Sequence, residues 1–314
     1  MARIEIKRTL APDEVVAVAR LVQEATLADD HAPMDEHTWL DLAQGGRAGF
    51  AGLIAWQDDH PHPVGYAQVT RGEDRSHSWA LEYVVDPHHR RPGNDIGVGL
   101  VAAAAKIIAS EGGGHAHLWV NQPRPEHDLI AAAAGLSAGR SLYQMRRALP
   151  LERELVESTG AVATRPFEPG RDEEAWLEVN NRAFAWHPEQ GGWDLGTIKA
   201  REAEPWFDPG GFLLHEAGGH LAGFCWTKVH TDHRPPLGEI YVIAVDPGVS
   251  QKGLGRKLTV AGLEHLAGDG LEVGMLYVDA ANGPAVKLYI DLGFVVHHID
   301  RAYTGDIPAA GRPG

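Results

Sequence analysis

Glu239-Ile-Tyr-Val-Ile-Ala-Val-Asp-Pro-Gly-Val-Ser-Gln-Lys-Gly253-Leu-Gly255-Arg256-Lys-Leu258 reads as a strand, a glycine turn and a helix start in succession. Ile240 to Val245 is an apolar, β-branched run of strand length, and Asp246-Pro247 ends it because proline cannot continue a ladder. Gly253 and Gly255 let the backbone approach a ligand closely, and the first amides of the following helix have no internal acceptors, so an anion can take their hydrogen bonds. Phosphate is the natural guest. A G-x-G alone is equally a tight strand-to-helix turn, so the rest of the chain has to decide between the two.

The chain has 314 residues, enough for two ordinary domains, and 44% of them are hydrophobic, enough for two cores. Its 28 Lys and Arg against 43 Asp and Glu leave a net charge of −15, which repels phosphate backbones and anionic membranes. No nucleic-acid or membrane partner is expected. Cys225 is the only cysteine, which excludes an internal disulfide and a cysteine zinc cluster. Together with an N-terminus lacking an apolar signal core, this predicts a cytoplasmic protein, and a monomer.

From the N-terminus, Thr9 to Ala28 has helical spacing, Gly49 to Trp56 and Gly65 to Thr70 read as strands, and Trp79 to Val85 is a strand ending at Asp86-Pro87. A helix from Val98 to Ser110 and a strand from His117 to Val120 follow. His60 and His62 stand beside prolines in the turn from Asp58 to Pro63 with no companion cluster, so no metal is expected there or elsewhere. The order then repeats. A hairpin forms about Gly218-Gly219, then come the Glu239 strand, the glycine turn, a helix from Leu254 to Ala267 and a strand from Gly274 to Asp279. Asp86-Pro87 and Asp246-Pro247 stand 160 positions apart, the signature of a duplicated domain. The expected division is 1–150, a linker at 151–163, and 164–314.

Strand, Asp-Pro, glycine loop, helix, strand, Asn282, a helix with Tyr289, and Leu292-Gly-Phe294 together resemble the GNAT superfamily of N-acetyltransferases. The resemblance implies an α/β fold of two tandem GNAT domains, each a mixed, mostly antiparallel twisted sheet flanked by helices, with a splayed central strand. It implies acetyl-CoA as co-substrate. The pantetheine arm would lie along Ile243, Ala244 and Val245, and the pyrophosphate on the loop Ser250, Gln251, Lys252, Gly253, Leu254, Gly255 and Arg256. The next helix start, Asn282, Gly283, Pro284, Ala285, Val286 and Lys287, completes that site. Ser250 departs from the family, which usually has Gln or Arg there. In the first half the matching positions are Tyr83, Val84, Val85, Arg90, Arg91 and Gly93.

The same resemblance makes Glu239 the general base and Tyr289 the general acid that protonates the leaving thiolate. An edge carboxylate and a tyrosine packed on an apolar helix face are the ordinary alternatives. Counting back 160 positions puts Trp79 opposite Glu239, and matching Ala134-Gly-Leu136 to Leu292-Gly-Phe294 puts Ala131 opposite Tyr289. Both chemical types are missing from the first half, and Pro92 removes an amide from its loop. That half is expected to be degenerate and non-catalytic.

Phe184 to Trp193, Trp206-Phe-Asp-Pro, Phe224-Cys-Trp226-Thr-Lys228-Val-His230 and Leu276-Tyr277-Val extend the match to tandem GNAT enzymes that acetylate the cysteine amine of a pseudo-disaccharide conjugate. That resemblance makes Glu36, Glu189, Lys228, Glu239 and Tyr277 contacts of a small-molecule amine. Two alternatives stay open: a tandem GNAT enzyme acting on another amine, such as an aminoglycoside, polyamine or protein N-terminus, and a CoA-binding module without catalysis.

Overall fold

The computed structural model describes residues 2–29, 31, 33–34, 42, 49–72, 78–90, 95–185, 190–231, 233–249 and 251–311. The chain forms two compact units, Met1–Leu142 with His298–Gly314, and Tyr143–His297. The sequence-based division at 150 and 164 differs from this in two ways. The segment expected to be a linker contains a helix, and Leu151, Leu155, Val156 and Val162 pack on the core of the second unit. The C-terminal strand, meanwhile, lies in the first unit from His298 onward. Strand pairing over such a separation leaves no local signal, whereas the 160-residue repeat does, so a contiguous division is what the sequence suggests.

In the first unit β1 (Arg3–Lys7), β2 (Phe50–Trp56), β3 (Gly65–Arg71) and β4 (Trp79–Val85) pair antiparallel in succession. Then β5 (Gly114–Asn121) lies parallel to β4, and its other edge takes Asp300–Ile307 of the last strand antiparallel. Helix α1 (Pro12–Asp29) buries Val18, Leu21 and Ala25 with Phe50, Ile54 and Tyr66. On the other face α2 (Ile96–Ser110) buries Leu100, Val101, Ala104 and Ile108 against Leu53, Ala67 and Leu81. α3 (Pro125–Ala132) adds Ala131 to that core. Position 131, the counterpart of Tyr289, is therefore a packing site in this unit.

β6 (Ser137–Ala148) closes the first half, and its second part belongs to the second unit, followed by α4 (Arg153–Thr159). The other strands of that unit are β7 (Arg165–Pro166), β8 (Phe212–Ala217), β9 (His220–His230), β10 (Leu237–Val245) and β11 (Val273–Asp279). Their order is β6-β11-β10-β9-β8-β7. β7 to β10 pair antiparallel and β10 with β11 parallel. The β8–β9 turn is the expected glycine pair, with φ of 61° at Gly218 and 82° at Gly219, the backbone that only glycine adopts without strain. α5 (Glu173–Ala183) and α6 (Leu195–Glu202) cover one face over an aromatic core of Phe167, Trp176, Phe212, Phe224 and Trp226. α7 (Leu254–Gly268) and α8 (Gly283–Asp291) cover the other. Trp226 is fully buried and stacked on Phe212 at 4.3 Å, so it is core. The final strand, β12, spans Val295–Ile307.

Candidate active site of the second unit

The ladder between β10 and β11 runs only from Leu237↔Val273 to Ile240↔Leu276. Past Ile240 the two parallel strands separate, while β10 stays paired with β9 as far as Val245. The edge of Tyr241–Val245 facing β11 thus carries no ladder partner and opens a wedge in the sheet. The first unit repeats the design: β4 pairs with β5 only from Trp79↔Ala116 to Leu81↔Leu118, leaving Tyr83, Val84 and Val85 beyond the ladder. Ile243, Ala244 and Val245 border the wedge of the second unit.

A register shift between Ile240 and Val242 marks a bulge in β10 against β9. A bulge places one extra residue in a strand and re-aims its neighbours. Here Tyr241 and Val242 both join the aromatic core on the α5 face, while Ile240 and Ile243 pack toward α7. Glu239, alternating with Ile240, stands on the α5 face, where Lys228 is its direct cross-strand partner.

Glu239 is buried, with 6% of its surface exposed, and its Oε2 is 2.7 Å from Nε2 of His230 on β9. A buried carboxylate needs a donor, and His230 Nε2–H supplies it. Lys228 is half-buried. Its Nζ lies 4.4 Å from the Trp206 ring centre and 5.6 Å from that of Tyr241, a cation held over aromatic faces. Tyr277, on β11 just beyond the last ladder pair, is 43% exposed and its hydroxyl accepts from Gln144 Nε2 at 2.8 Å. Arg146 in turn donates to Gln144 Oε1 at 2.7 Å. One face of β9, β10, β11 and β6 therefore presents an acid with its imidazole, an ammonium on aromatic rings, and a phenol on an amide.

Tyr289 reaches the sheet from the other side, on α8, buried in the core with Cys225, Ile240 and Leu276, its ring 5.8 Å from that of Phe294. Burial, with the nearby Cys225 thiol as a lesser cause, pushes its phenol well above the ordinary range. Burial likewise pushes the Cys225 thiol up to about 12. Tyr289 therefore keeps its proton at neutral pH. Glu239 and Tyr289 lie on opposite faces of the sheet, and the wedge between β10 and β11 is where the two faces meet.

The glycine turn has the expected form. Gly253 is left-handed, φ 77°, and opens α7, whose next residues are Leu254, Gly255 and Arg256. A helix start leaves first-turn amides without intrahelical acceptors. Gln251 Oε1 is 3.4 Å from His215 Nε2, Arg256 Nε donates to Thr159 Oγ1 at 3.2 Å, and Lys252 is exposed. Asn282 caps α8 through Oδ1, accepting from Ala285 N at 3.2 Å, with Gly283, Pro284, Val286 and Lys287 in the first turns. Lys287 pairs with Asp291 at 2.8 Å.

In the first unit Arg90 is committed: Nε donates to Val85 O at 2.8 Å and Nη1 to Asp29 Oδ1 at 2.6 Å. It braces the strand end, a use that sequence spacing does not reveal. Glu36, Arg91, Gly93, Glu189 and Ser250 lie outside the described residues. The residues that sequence reasoning missed are His230, Trp206, Tyr241 and Gln144. His230 alone had a local signal, its place two residues after Lys228 on the same strand face.

Among the described residues, no helix is long and apolar enough to cross a membrane. Residues 174–294 match the model of the acetyltransferase (GNAT) family, whose members use acetyl-CoA. The chain is 44% identical to the mycothiol acetyltransferase of Acidimicrobium ferrooxidans over 93% of its own length and 94% of that protein's. It is 43% identical to the one from Thermobispora bispora, over 96% and 98%. Among solved structures it is similar to a GCN5-related N-acetyltransferase from Sphaerobacter thermophilus, with TM-score 0.73, 20% identity, and 98% and 97% of the two chains covered. A tandem GNAT protein from the clavulanic acid pathway matches with TM-score 0.68 at 18% identity over 98% and 100%. Fold and sequence agree: the chain belongs to the mycothiol acetyltransferase family, acyltransferases of the GNAT superfamily, and carries the tandem, splayed-strand α/β fold.

Proposed function

We propose that this acyltransferase moves the acetyl group of acetyl-CoA to the cysteine α-amine of cysteinyl-glucosaminyl-inositol, giving mycothiol and CoA. The observation that carries the reading is the buried Glu239 at the closed end of the wedge, bonded to His230 and facing Lys228. The pantetheine arm lies along Ile243, Ala244 and Val245, where β10 has no neighbour on one edge, and the pyrophosphate takes the helix-start amides near Gly253 and Gly255.

The substrate ammonium gives one proton to Glu239, directly or through a water. Such α-amines ionise near roughly 7.7–8.0, so a carboxylate is base enough. The amine nitrogen then bonds to the thioester carbon, whose oxygen is polarised by a β10 backbone amide near Ala244 or Val245. The carbon–sulfur bond breaks as Tyr289 protonates the leaving thiolate, and the second proton shed by the acylated nitrogen passes through water to the tyrosinate, restoring it. Lys228, Tyr277, Glu36 and Glu189 hold the hydroxyl-rich conjugate. The first unit, with Trp79 and Ala131 at the two catalytic positions, serves no chemistry, although Tyr83, Val84 and Val85 border a second wedge.

The test is mass analysis of the product from acetyl-CoA and the cysteinyl conjugate. A single acetyl group on nitrogen supports the reading; no acetylated conjugate with CoA left unreleased overturns it.

A further inference from the structure

The two Asp-Pro turns are built alike. Asp86 N donates to Val64 O at 3.0 Å and its Oδ1 accepts from His88 N at 2.7 Å. Asp246 N donates to Ala222 O at 2.9 Å and its Oδ1 accepts from Gly248 N at 2.9 Å. They differ in what meets the second carboxylate oxygen. In the second unit Arg182 Nη2 sits 2.6 Å from Asp246 Oδ2, and that guanidinium holds the carboxyl below its usual range. In the first unit Asp86, only 3% exposed, turns Oδ2 toward His89 Nδ1 at 3.5 Å, and His60 stands beside His89 with ring centres 4.9 Å apart, edge to face.

We infer that His60, Asp86 and His89 bind one divalent transition-metal ion, zinc by their chemistry, which supplies the cation that Arg182 supplies in the second unit. One donor atom from each residue lies within 4.8 Å of the other two. Around zinc, with bonds of about 2.1 Å, tetrahedral donors stand roughly 3.4 Å apart, a closure that rotation of the exposed His60 turn can provide. Two imidazoles and a carboxylate favour zinc, cobalt or nickel over magnesium or calcium. His60 is also prepared as a ligand. Its Nδ1–H is used on His62 O at 3.0 Å, which leaves Nε2 as the lone-pair nitrogen, the usual outer-shell arrangement of a metal-binding histidine. His62 is excluded, because its Nε2 accepts from Arg20 Nη1 at 3.0 Å. Arg90, next to His89, is spent on Val85 and Asp29. The ion would tie the β2–β3 turn to the end of β4, at the mouth of the first unit's wedge. Three protein donors leave a coordination position open to water.

The experiment uses the full chain after chelator treatment, titrated with zinc in competition with a chromophoric chelator, and in parallel with cobalt read by visible absorption. His60→Gln and His89→Gln are compared with His265→Gln, which alters a more exposed group formed with Asp208 and Asp269. The expected result is one zinc per chain, bound at least 30-fold more weakly by the His60 and His89 variants and equally by the His265 variant. Cobalt should give visible bands in the wild type that both turn variants lose. Zinc should raise the melting temperature of the wild type but not of His60→Gln, whose exposed turn leaves folding intact. Equal zinc binding by wild type and both turn variants, or no zinc bound at micromolar concentration, overturns the site and leaves His89 as a plain partner of Asp86.

Discussion

His230 Nε2 and Glu239 Oε2 are 2.7 Å apart, joining adjacent strands on a diagonal two residues off the direct cross-strand register. This contact commits one oxygen of a buried carboxylate to an imidazole. If Glu239 is the base, Glu239→Gln keeps the shape and loses the proton acceptor. The expected outcome is a fall in kcat of roughly 10²- to 10⁴-fold, with the acetyl-CoA dissociation constant unchanged by calorimetry. A wild-type rate at neutral pH would remove Glu239 from that role.

His230 should matter through Glu239. Removing a hydrogen bond to a charged group costs about 1.5–3 kcal/mol, so His230→Leu should lower kcat roughly ten- to a hundredfold, whereas His230→Gln, which keeps an N–H donor, should recover most of it. Steady-state rates of both variants beside Glu239→Gln separate positioning from simple packing, which leucine would satisfy.

Lys228 over Trp206 and Tyr241 is expected to act in amine-substrate binding rather than in the chemical step. Lys228→Met should raise KM for the conjugate with a smaller effect on kcat, and Trp206→Ala should follow in the same direction by about 0.5–2 kcal/mol as the ammonium loses its aromatic seat. A KM for acetyl-CoA that moved in step would place Lys228 at the other substrate.

Cys225 and Tyr289 are among the groups that lower stability at alkaline pH, with Cys225 the first to act. Both hold their protons more tightly folded than unfolded. Below the unfolded values, about 8.5 and 10, their contribution is complete; above them the unfolded chain releases protons that the native chain retains, and stability falls with rising pH. The slope should reach about 1.4 kcal/mol per pH unit for each group. Urea melts between pH 8 and 11 should show the decline beginning later in Cys225→Ala. An onset unchanged by that substitution would contradict the account.

What the sequence disclosed was local. Asp246-Pro247 stops a strand, Gly253 must turn left-handed, Gly218-Gly219 must make a hairpin, and Asn282 must cap a helix; each is decided by residues a few positions apart. The wedge followed from family likeness, and the short β10–β11 ladder gives it physical form. What stayed hidden depends on partners brought across strands. Lys228 on Trp206, Gln144 on Tyr277 and His60 beside His89 join residues far apart in the chain. The exchange of the final strand was hidden for the same reason: Asp300–Ile307 carries no mark naming β5 as its neighbour.

Acetyl transfer to one cysteinyl amine is read out by kcat/KM for CoA release with cysteinyl-glucosaminyl-inositol beside an aminoglycoside, a polyamine and an N-terminal peptide. The cysteinyl conjugate should exceed every other amine by at least a hundredfold. Equal rates across the panel, or none with the conjugate, would contradict it.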